Sequence, residues 1–320
     1  MLVRRHREHR AWVLPRGSIN ALVIVLACAS LTAHARADEG PDCIGSYCED
    51  DAIYQFGPLG ALTSSLFEGP TSYRDVLRLG DFGLGATSPL EGEVIVLDGT
   101  AYHASPSGEL EILPPSARTP FAIVKHFHAD RSVSLPEVGS LDELAHALDA
   151  TLPSRNRFYA ARIDGQFDYL QLRSVKAQVP PYPPLADVVR DQTVFEATGV
   201  DGTLVGFRFP GYLGGVNASG WHFHFVDEAR HLGGHVLDVR TGPTIADLDQ
   251  TRTLTLVLPE DRAFDAADLT RSADTIKGEV RSAAPRSVAQ ASPAPSPSPS
   301  PSPAPSPSPD DDEGEGEEAR

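Results

Sequence analysis

Three histidines in the second half of the chain have a spacing that suits a metal ion. The segment Gly-Trp-His-Phe-His carries His222 and His224 two residues apart, and His235 follows eleven residues after His224. Three neutral imidazoles with one open coordination position are typical of catalytic zinc sites. The sequence therefore predicts that His222, His224 and His235 bind a metal ion, and that this ion is Zn2+.

Two antiparallel strands would bring the three imidazoles together. Successive side chains of a strand point to opposite faces, so His222 and His224 share one face while Phe223 and Phe225 enter a core on the other. A turn within residues 227–234 would fold the next strand back and place His235 on the same face as the pair. Histidines in strands are also ordinary core or surface residues, and the pattern alone leaves that alternative open.

Other histidines and one glutamate near this motif need a separate interpretation. His126 and His128 form a second His-x-His pair without a third histidine at useful spacing, and we interpret them as a partly exposed strand pair. His231 falls in the predicted turn, where it contacts solvent or supports a ligand. Glu228 would suit the first metal motif of a cupin barrel, but the second cupin motif, Pro-x-Gly-x-x-His, does not follow.

Strand patterns dominate the rest of the chain. Asp-Gly pairs at 98–99 and 164–165 predict two hairpins, formed by residues 93–104 and 158–175, and further extended runs cover residues 121–127, 202–209 and 253–258. Helices are predicted for residues 71–79, 141–150, 185–193 and 264–277. Because strands outnumber helices without a βαβ alternation, we expect an α+β fold with mixed and antiparallel sheets in two tightly joined halves, flanked by a few helices.

The first 37 residues have the composition of a signal peptide. Several arginines precede an apolar run at residues 21–31 that is too short to span a bilayer, and small-residue cleavage sites follow it. We therefore expect an exported protein, periplasmic or extracellular, with no stable membrane span after processing. An uncleaved anchor is the alternative, and Cys28 and Arg4-Arg5 weakly resemble a lipoprotein site and a twin-arginine signal.

Cysteine content and charge agree with export. Cleavage leaves Cys43 and Cys48, which we expect to form a disulfide in an N-terminal arm of residues 38–50. Removal of residues 1–37 takes away six Arg and one Glu and moves the formal charge from −17 to −22. Such acidity disfavours nucleic acid and anionic membranes as partners.

The last 38 residues cannot build a core. Residues 283–320 consist of Ser-Pro and Ala-Pro repeats followed by an acidic end. We expect a disordered, solvated tail with polyproline II character; a surface tether or a glycosylated stalk is the alternative. Residues 51–282 then remain as one catalytic domain.

Several motifs within that domain carry a family resemblance. They are Leu-Glu-Gly-Glu-Val-Ile-Val-Leu-Asp-Gly-Thr-Ala-Tyr at 90–102, Arg-Ile-Asp-Gly at 162–165, Leu-Arg-Ser-Val at 172–175, Pro-Tyr at 181–182, and Phe-Pro-Gly-Tyr-Leu at 209–213 ahead of Gly-Trp-His-Phe-His. Together they resemble the alpha-acetolactate decarboxylase family from about residue 54 to about residue 238.

The resemblance implies a zinc enzyme that converts the small molecule 2-acetolactate to acetoin and carbon dioxide, and by analogy a homodimer. The three histidines match the zinc ligands of the family. Glu93 matches its active-site carboxylate, Arg173 its active-site arginine, and Glu279 is the candidate for a second glutamate near the C-terminal end of the fold.

The residues suit this chemistry on their own terms. Loss of CO2 from a β-keto acid leaves negative charge on the former ketone oxygen, for which a metal ion is an electron sink. Arg173 suits pairing with the substrate carboxylate, and Glu93, desolvated on its strand, suits acid-base work. An ordinary ion pair is the alternative for these two residues, and an exported metal-handling protein without turnover would need neither.

One segment departs from the family pattern. The family usually has Gly-Thr-Phe after an Asp-Phe-Gly-x-Gly turn, whereas this chain has Gly85, Ala86 and Thr87. A threonine contact to the substrate is therefore either lost or supplied one residue later by Thr87.

Overall fold

The computed structural model describes residues 43–44, 47–48 and 51–270. The predicted signal peptide, the Ser-Pro tail and Glu279 lie outside these residues. In the described part of the chain no helix has both the length and the apolar character that crossing a bilayer requires.

Strands are the commonest elements of the described structure. In chain order they are β1 Cys43–Ile44, β2 Tyr47–Cys48, β3 Ala52–Phe56, β4 Thr71–Ser72, β5 Phe82–Thr87, β6 Glu91–Leu97, β7 Thr100–Ala104, β8 Leu110–Ile112, β9 Arg118–Thr119, β10 Ala122–Lys125, β11 Arg131–Leu135, β12 Phe158–Ser174, β13 Thr193–Phe209, β14 Gly220–Asp227, β15 Gly233–Arg240, β16 Thr244–Thr251 and β17 Thr253–Val257.

Two larger sheets organise these strands. A seven-stranded sheet has the order β17-β3-β10-β5-β6-β7-β8, with β17 parallel to β3, and a six-stranded sheet has the order β11-β16-β12-β13-β14-β15. The pairs β1-β2 and β4-β9 form small separate sheets. In the first of these, Cys43 lies directly opposite Cys48. The predicted α+β class with mixed and antiparallel sheets is confirmed.

The six-stranded sheet closes on itself in one region because β12 has two neighbours on the same side. Its first residues pair with β16, while Tyr169 to Arg173 pair with β15. Since β12 also pairs with β13, β13 with β14 and β14 with β15, these four strands form a closed ring. The predicted metal ligands lie on two strands of this ring, and Arg173 lies on a third.

Three apolar layers hold the sheets. One contains Ile95 and Leu97 of β6 together with Val205 and Phe207 of β13, and therefore lies where the two sheets meet. The second, the inner layer, lies on the other face of the six-stranded sheet and includes Phe223, Phe225, Leu172, Leu144 and Leu148. The third lies on the seven-stranded sheet and includes Val94 and Val96 of β6 with Tyr73 and Val76. Each such buried side chain contributes about 1.5–3 kcal/mol to folding.

Five short α-helices flank the sheets within residues 51–270, besides a 3-10 helix at Gly211–Leu213. They are α1 Leu59–Thr63, α2 Tyr73–Val76, α3 Leu141–Thr151, α4 Leu185–Arg190 and α5 Arg262–Ala266. The predicted helix at residues 141–150 is confirmed as α3 and is capped at its start, where Ser140 Oγ accepts a hydrogen bond from Glu143 N at 3.2 Å. The carboxylate of Glu143 accepts from Gly139 N, which satisfies a second donor at the helix start.

Several predicted elements need correction. The hairpin of β6 and β7 is confirmed, but the second hairpin is wrong, because β12 runs without a turn through residues 164–165. Only residues 122–125 of the run 121–127 form a strand, and residues 71–72 form β4 ahead of α2. Helix α4 ends at Arg190, since Thr193 already pairs with Ser174, and α5 ends at Ala266, while residues 271–277 lie outside the described part.

Candidate active site

The three predicted ligands meet at the interface between the two sheets. His222 Nε2 lies 3.2 Å from His224 Nε2 and 2.9 Å from His235 Nδ1. His224 and His235 are direct partners in the pairing of β14 with β15. The three ligand atoms therefore converge on one point, as the spacing in the sequence predicts.

Alternation along β14 explains why the imidazoles share a face. Phe223 and Phe225 are 1% and 0% exposed and pack in the inner apolar layer. His222 and His224 therefore point to the opposite side, toward β6. The packing of the two phenylalanines fixes the direction of both histidines.

The turn between β14 and β15 sets the register that brings His235 opposite His224. Asp227 Oδ1 accepts hydrogen bonds from the backbone N–H of His231 at 2.7 Å and of Leu232 at 2.8 Å. Asp227 is itself 8% exposed, so water competes poorly for its carboxylate. This aspartate is a positioning residue for the cluster; the sequence places it at the start of the turn, but its two bonds depend on the folded loop.

Close strand packing continues beside His235. A Cβ atom on Gly234 would lie 2.8 Å from the carbonyl oxygen of Arg173 on β12. Real Cβ atoms do not approach an oxygen that closely, so glycine lets β15 lie against β12 at this point. His235 and Arg173 are direct partners in that pairing.

The donor set fits zinc. His224 Nδ1 donates a hydrogen bond to the carbonyl oxygen of Val94 at 2.8 Å, which leaves a lone pair on Nε2, the atom that faces the other imidazoles. Zinc–nitrogen bonds of about 2.0–2.1 Å in a tetrahedron separate the ligand atoms by about 3.3 Å, close to the 3.2 and 2.9 Å that separate His222 Nε2 from the ligand atoms of His224 and His235. A carbonyl partner of this kind is typical of histidines that bind metals.

Burial keeps the imidazoles neutral, as metal ligands must be. Burial, followed by the charge of Arg173, lowers the pKa of His222 to about 3. The pKa values of His224 and His235 are lowered as well, again first by burial. At neutral pH all three rings therefore keep their lone pairs free.

Glu93 extends from the seven-stranded sheet to the histidines. Its Oε2 lies 3.4 Å from His224 Nε2 and its Oε1 lies 3.3 Å from an Arg173 guanidinium nitrogen. Burial raises the pKa of Glu93 to about 7, against the opposing effect of Arg173. A carboxyl group with such a pKa exchanges its proton near neutral pH.

A local constraint places Glu93. Gly92, just before it, adopts a φ of +66°, and its N–H donates to the carbonyl oxygen of Val175 at 2.8 Å. This bond ties the start of β6 to the residue that follows β12. Glu93 and Arg173, which are far apart in the sequence, are thereby held at one end of the same interface.

These groups open into a cavity of about 770 Å3. Its polar lining includes Glu93, Arg173 and the three histidines, and its apolar wall includes Leu62 and Leu185. A small ligand can thus reach the imidazoles, the carboxyl group and the guanidinium group at once.

One wall of the cavity rests on an amide network that the sequence analysis did not find. Asn217 Nδ2 donates to Gln55 Oε1 at 2.8 Å, and Gln55 Nε2 donates to Val216 O at 2.7 Å. Asn217 lines the cavity, and Gln55 is fully buried on β3. No local pattern predicts this contact, because 162 positions separate the two amides.

Comparison with known proteins identifies the family. A family model described as Alpha-acetolactate decarboxylase matches residues 53–271. The Methylococcus capsulatus protein named Alpha-acetolactate decarboxylase is 42% identical over 226 residues, which are 71% of this chain and 87% of that protein. The chain belongs to the alpha-acetolactate decarboxylase family.

Further relatives agree. The Klebsiella aerogenes alpha-acetolactate decarboxylase is 36% identical over 71% of this chain and 92% of its own length. The crystal structure of alpha-acetolactate decarboxylase from Bacillus subtilis matches with a TM-score of 0.69 and 33% identity, over 72% of this chain and 97% of that structure. Membership in this family makes the chain an enzyme of the carboxy-lyase class and removes the cupin alternative.

The other histidines and glutamates considered in the sequence analysis of this decarboxylase-family chain lie away from the cluster. His126 and His128 follow the end of β10, and Glu228 and His231 are exposed in the β14–β15 turn. The second acidic candidate, Glu279, is outside the described residues. None of the four that are described belongs to the histidine cluster.

At the position where this chain departs from the usual Gly-Thr-Phe pattern of alpha-acetolactate decarboxylases, an apolar side chain faces the cavity. Ala86 lines the cavity. Thr87 is 8% exposed, and its hydroxyl donates to the carbonyl oxygen of Glu91 at 2.5 Å. That hydroxyl is engaged within β5 and β6, so the interpretation that Thr87 supplies the contact one residue later finds no support.

Proposed function

We propose that this protein is a zinc-dependent acetolactate decarboxylase that converts 2-acetolactate to acetoin and carbon dioxide. The observation that carries the proposal is the meeting of Glu93 and Arg173 with three neutral imidazoles in one cavity. A site that only stores metal needs neither the carboxyl nor the guanidinium group.

The substrate would be bound at two places, the histidine cluster and Arg173. Zinc held by His222, His224 and His235 would supply a Lewis acid for the negative charge that develops on the former ketone oxygen. Arg173, 14% exposed, pairs with the substrate carboxylate and orients the bond that breaks. When that bond breaks, its electron pair moves through the adjacent carbon toward the ketone oxygen, and neutral CO2 leaves the guanidinium group.

Glu93 provides the proton that completes the reaction. Its raised pKa gives a substantial protonated fraction near pH 7, so it can deliver a proton to the carbon that has lost CO2 and recover one from water. We keep Glu279 as a proposed second carboxylate, to be tested by Glu279→Gln under the same conditions.

Purified protein tests the proposal through acetoin release and metal content measured on the same sample. We expect about one zinc per chain, turnover of acetolactate, loss of turnover with a chelator and recovery with added zinc. Glu93→Gln should keep zinc and lose most turnover, whereas Glu109→Gln, at an exposed position, serves as the matched control. A folded, zinc-loaded protein without turnover would instead indicate a metal-handling protein.

The ligand assignment has a direct test of its own. His235→Ala removes one of three ligand atoms, and we expect its zinc content to fall below that of the wild type in the same buffer. If stoichiometric zinc remained in a folded His235→Ala protein, His235 would not be a ligand.

We also propose that the protein is exported and that Cys43 and Cys48 form a disulfide. The antiparallel partners are about 4.5–5.5 Å apart at Cα, within the range that a disulfide bridges. Mass spectrometry of the secreted or periplasmic protein should give a new N-terminus after residue 35 or 37 and a mass two hydrogens below that of the reduced form. Light scattering tests the homodimer that family analogy suggests.

A further inference from the structure

Gln192 is a buried amide without a full set of partners at the edge of the cavity. Its side chain is 5% exposed and belongs to the cavity lining. Its Oε1 atom is buried and accepts no hydrogen bond from the residues that the structure describes. Buried polar atoms in proteins are nearly always partnered, so an unpartnered one beside a cavity points to a ligand.

The backbone holds Gln192 firmly in this place. It follows α4, and its N–H donates to the carbonyl oxygen of Val189 at 3.3 Å. Thr193, the next residue, begins β13 and pairs with Ser174. The χ3 torsion of the side chain has a broad energy profile, and a 180° rotation about it exchanges the positions of the amide oxygen and nitrogen.

The strand register places Gln192 near Arg173. Val194 is the direct partner of Arg173 across β12 and β13, and Gln192 lies two residues before Val194, just ahead of the start of β13. On its other side Arg173 pairs with His235 of β15. Arg173, His235 and Gln192 all line the same cavity.

We propose that Gln192, with its amide turned so that the nitrogen takes the place of the unpartnered oxygen, donates a hydrogen bond to the substrate carboxylate that Arg173 pairs with. This inference rests on the proposed decarboxylase function and adds a substrate-binding residue to it. With one carboxylate oxygen on Arg173 and the other on Gln192, the plane of the carboxylate is fixed relative to the ketone, which the departing electron pair requires. A neutral amide fixes this plane without a second positive charge, which would stabilise the carboxylate and oppose its departure as neutral CO2.

Binding of two unreactive ligands tests the assignment. The acid 2,3-dihydroxy-2-methylbutanoate keeps the carboxylate but lacks the ketone and cannot decarboxylate, whereas butane-2,3-diol has no carboxylate. For zinc-loaded Gln192→Leu we expect the Kd of the acid to rise about 10- to 100-fold, as for a lost hydrogen bond to a charged group, and the Kd of the diol to change less than about twofold. Gln178→Leu, whose amide donates to Lys176 O outside the cavity lining, should change neither value.

The melting temperature provides a second readout. If Gln192 only supported the fold, its replacement would lower Tm, whereas a substrate-binding role predicts the opposite. Replacing an unpartnered buried amide with an apolar side chain of similar size should raise Tm in Gln192→Leu, and Gln192→Met offers the same test if the leucine variant misfolds. An unchanged Kd of the acid, equal weakening of acid and diol, or a lowered Tm would overturn the assignment. Wild-type protein that releases no acetoin would overturn the proposed function itself, so the two failures are distinguishable.

Discussion

Asp227 offers the sharpest test of how this fold builds its histidine cluster and of the proposed metal site. The residue lies outside the cluster, yet its carboxylate accepts two backbone hydrogen bonds, at 2.7 and 2.8 Å, in the turn that sets His235 opposite His224. Asp227→Ala removes the oxygen that accepts both bonds and leaves all three histidines unchanged in sequence. If the turn positions His235, the loss must appear in metal affinity as well as in stability.

The magnitude follows from the two bonds. Each hydrogen bond to a charged acceptor contributes about 1.5–3 kcal/mol, and because His231 is an exposed residue we expect water to restore part of this in the variant. We expect Asp227→Ala to lower the free energy of unfolding by about 2–4 kcal/mol. Asp227→Asn keeps an acceptor oxygen without the charge and should lose only about 1 kcal/mol. Misplacement of one ligand should raise the zinc Kd about 10- to 100-fold in the alanine variant.

Urea unfolding of the metal-free proteins measures the free energy of unfolding, and competition with a fluorescent zinc chelator measures the zinc Kd. Glu228→Ala is the matched control, because Glu228 is an exposed carboxylate in the same turn and should change stability by less than about 0.5 kcal/mol. Should Asp227→Ala bind zinc as tightly as Glu228→Ala while losing stability, the turn would support the fold but not position the ligand.

Further changes probe the surroundings of the site. Arg173→Lys should keep zinc and fold but lower kcat/KM for acetolactate about 100-fold, because the planar fork is lost; equal kcat/KM would remove Arg173 from substrate binding. Gly234→Ala should force β15 away from β12 and weaken zinc binding, whereas Gly242→Ala, whose Cβ would meet nothing within 4 Å, should not; zinc titration compares them. Lys125→Met leaves Asp249 buried without its ion-pair partner and should cost about 3–5 kcal/mol in urea unfolding at pH 7. Burial already raises the pKa of Asp249, so the stability that the variant loses relative to the wild type should be smallest below pH ~4 and should grow as pH rises; a difference that does not change with pH would contradict this.

Local sequence patterns predict the fold where local interactions decide it. The Asp-Gly pair of β6 and β7 forms a turn as expected, because the strands on both sides pair with each other. The second Asp-Gly pair forms no turn, because Gly165 lies opposite Gly202 and Asp164 accepts a hydrogen bond from Thr203 across β12 and β13. That partner strand is about 40 positions away in the sequence, beyond the reach of a turn motif.

The candidate site also contains parts that the sequence predicts and parts that it does not. The histidine set follows from spacing and alternation, and Glu93 and Arg173 follow from the family resemblance. The distance that joins Glu93 to Arg173 depends on how two sheets pack, as does the cavity that includes Gln192. Such contacts have no local signature, since the chain brings them together only when both sheets are complete.

The closed ring of β12, β13, β14 and β15 has a consequence for how the molecule opens. A strand at the end of a sheet can peel away by breaking one row of hydrogen bonds, but β15 is bonded on both sides near His235. Its amides near His235, and those of β12 near Arg173, can then exchange with deuterated water only when the ring breaks as a whole. The slowest-exchanging amides should therefore surround the histidine cluster, and heating should fray β11, β17 and the short helices before it disturbs these three imidazoles.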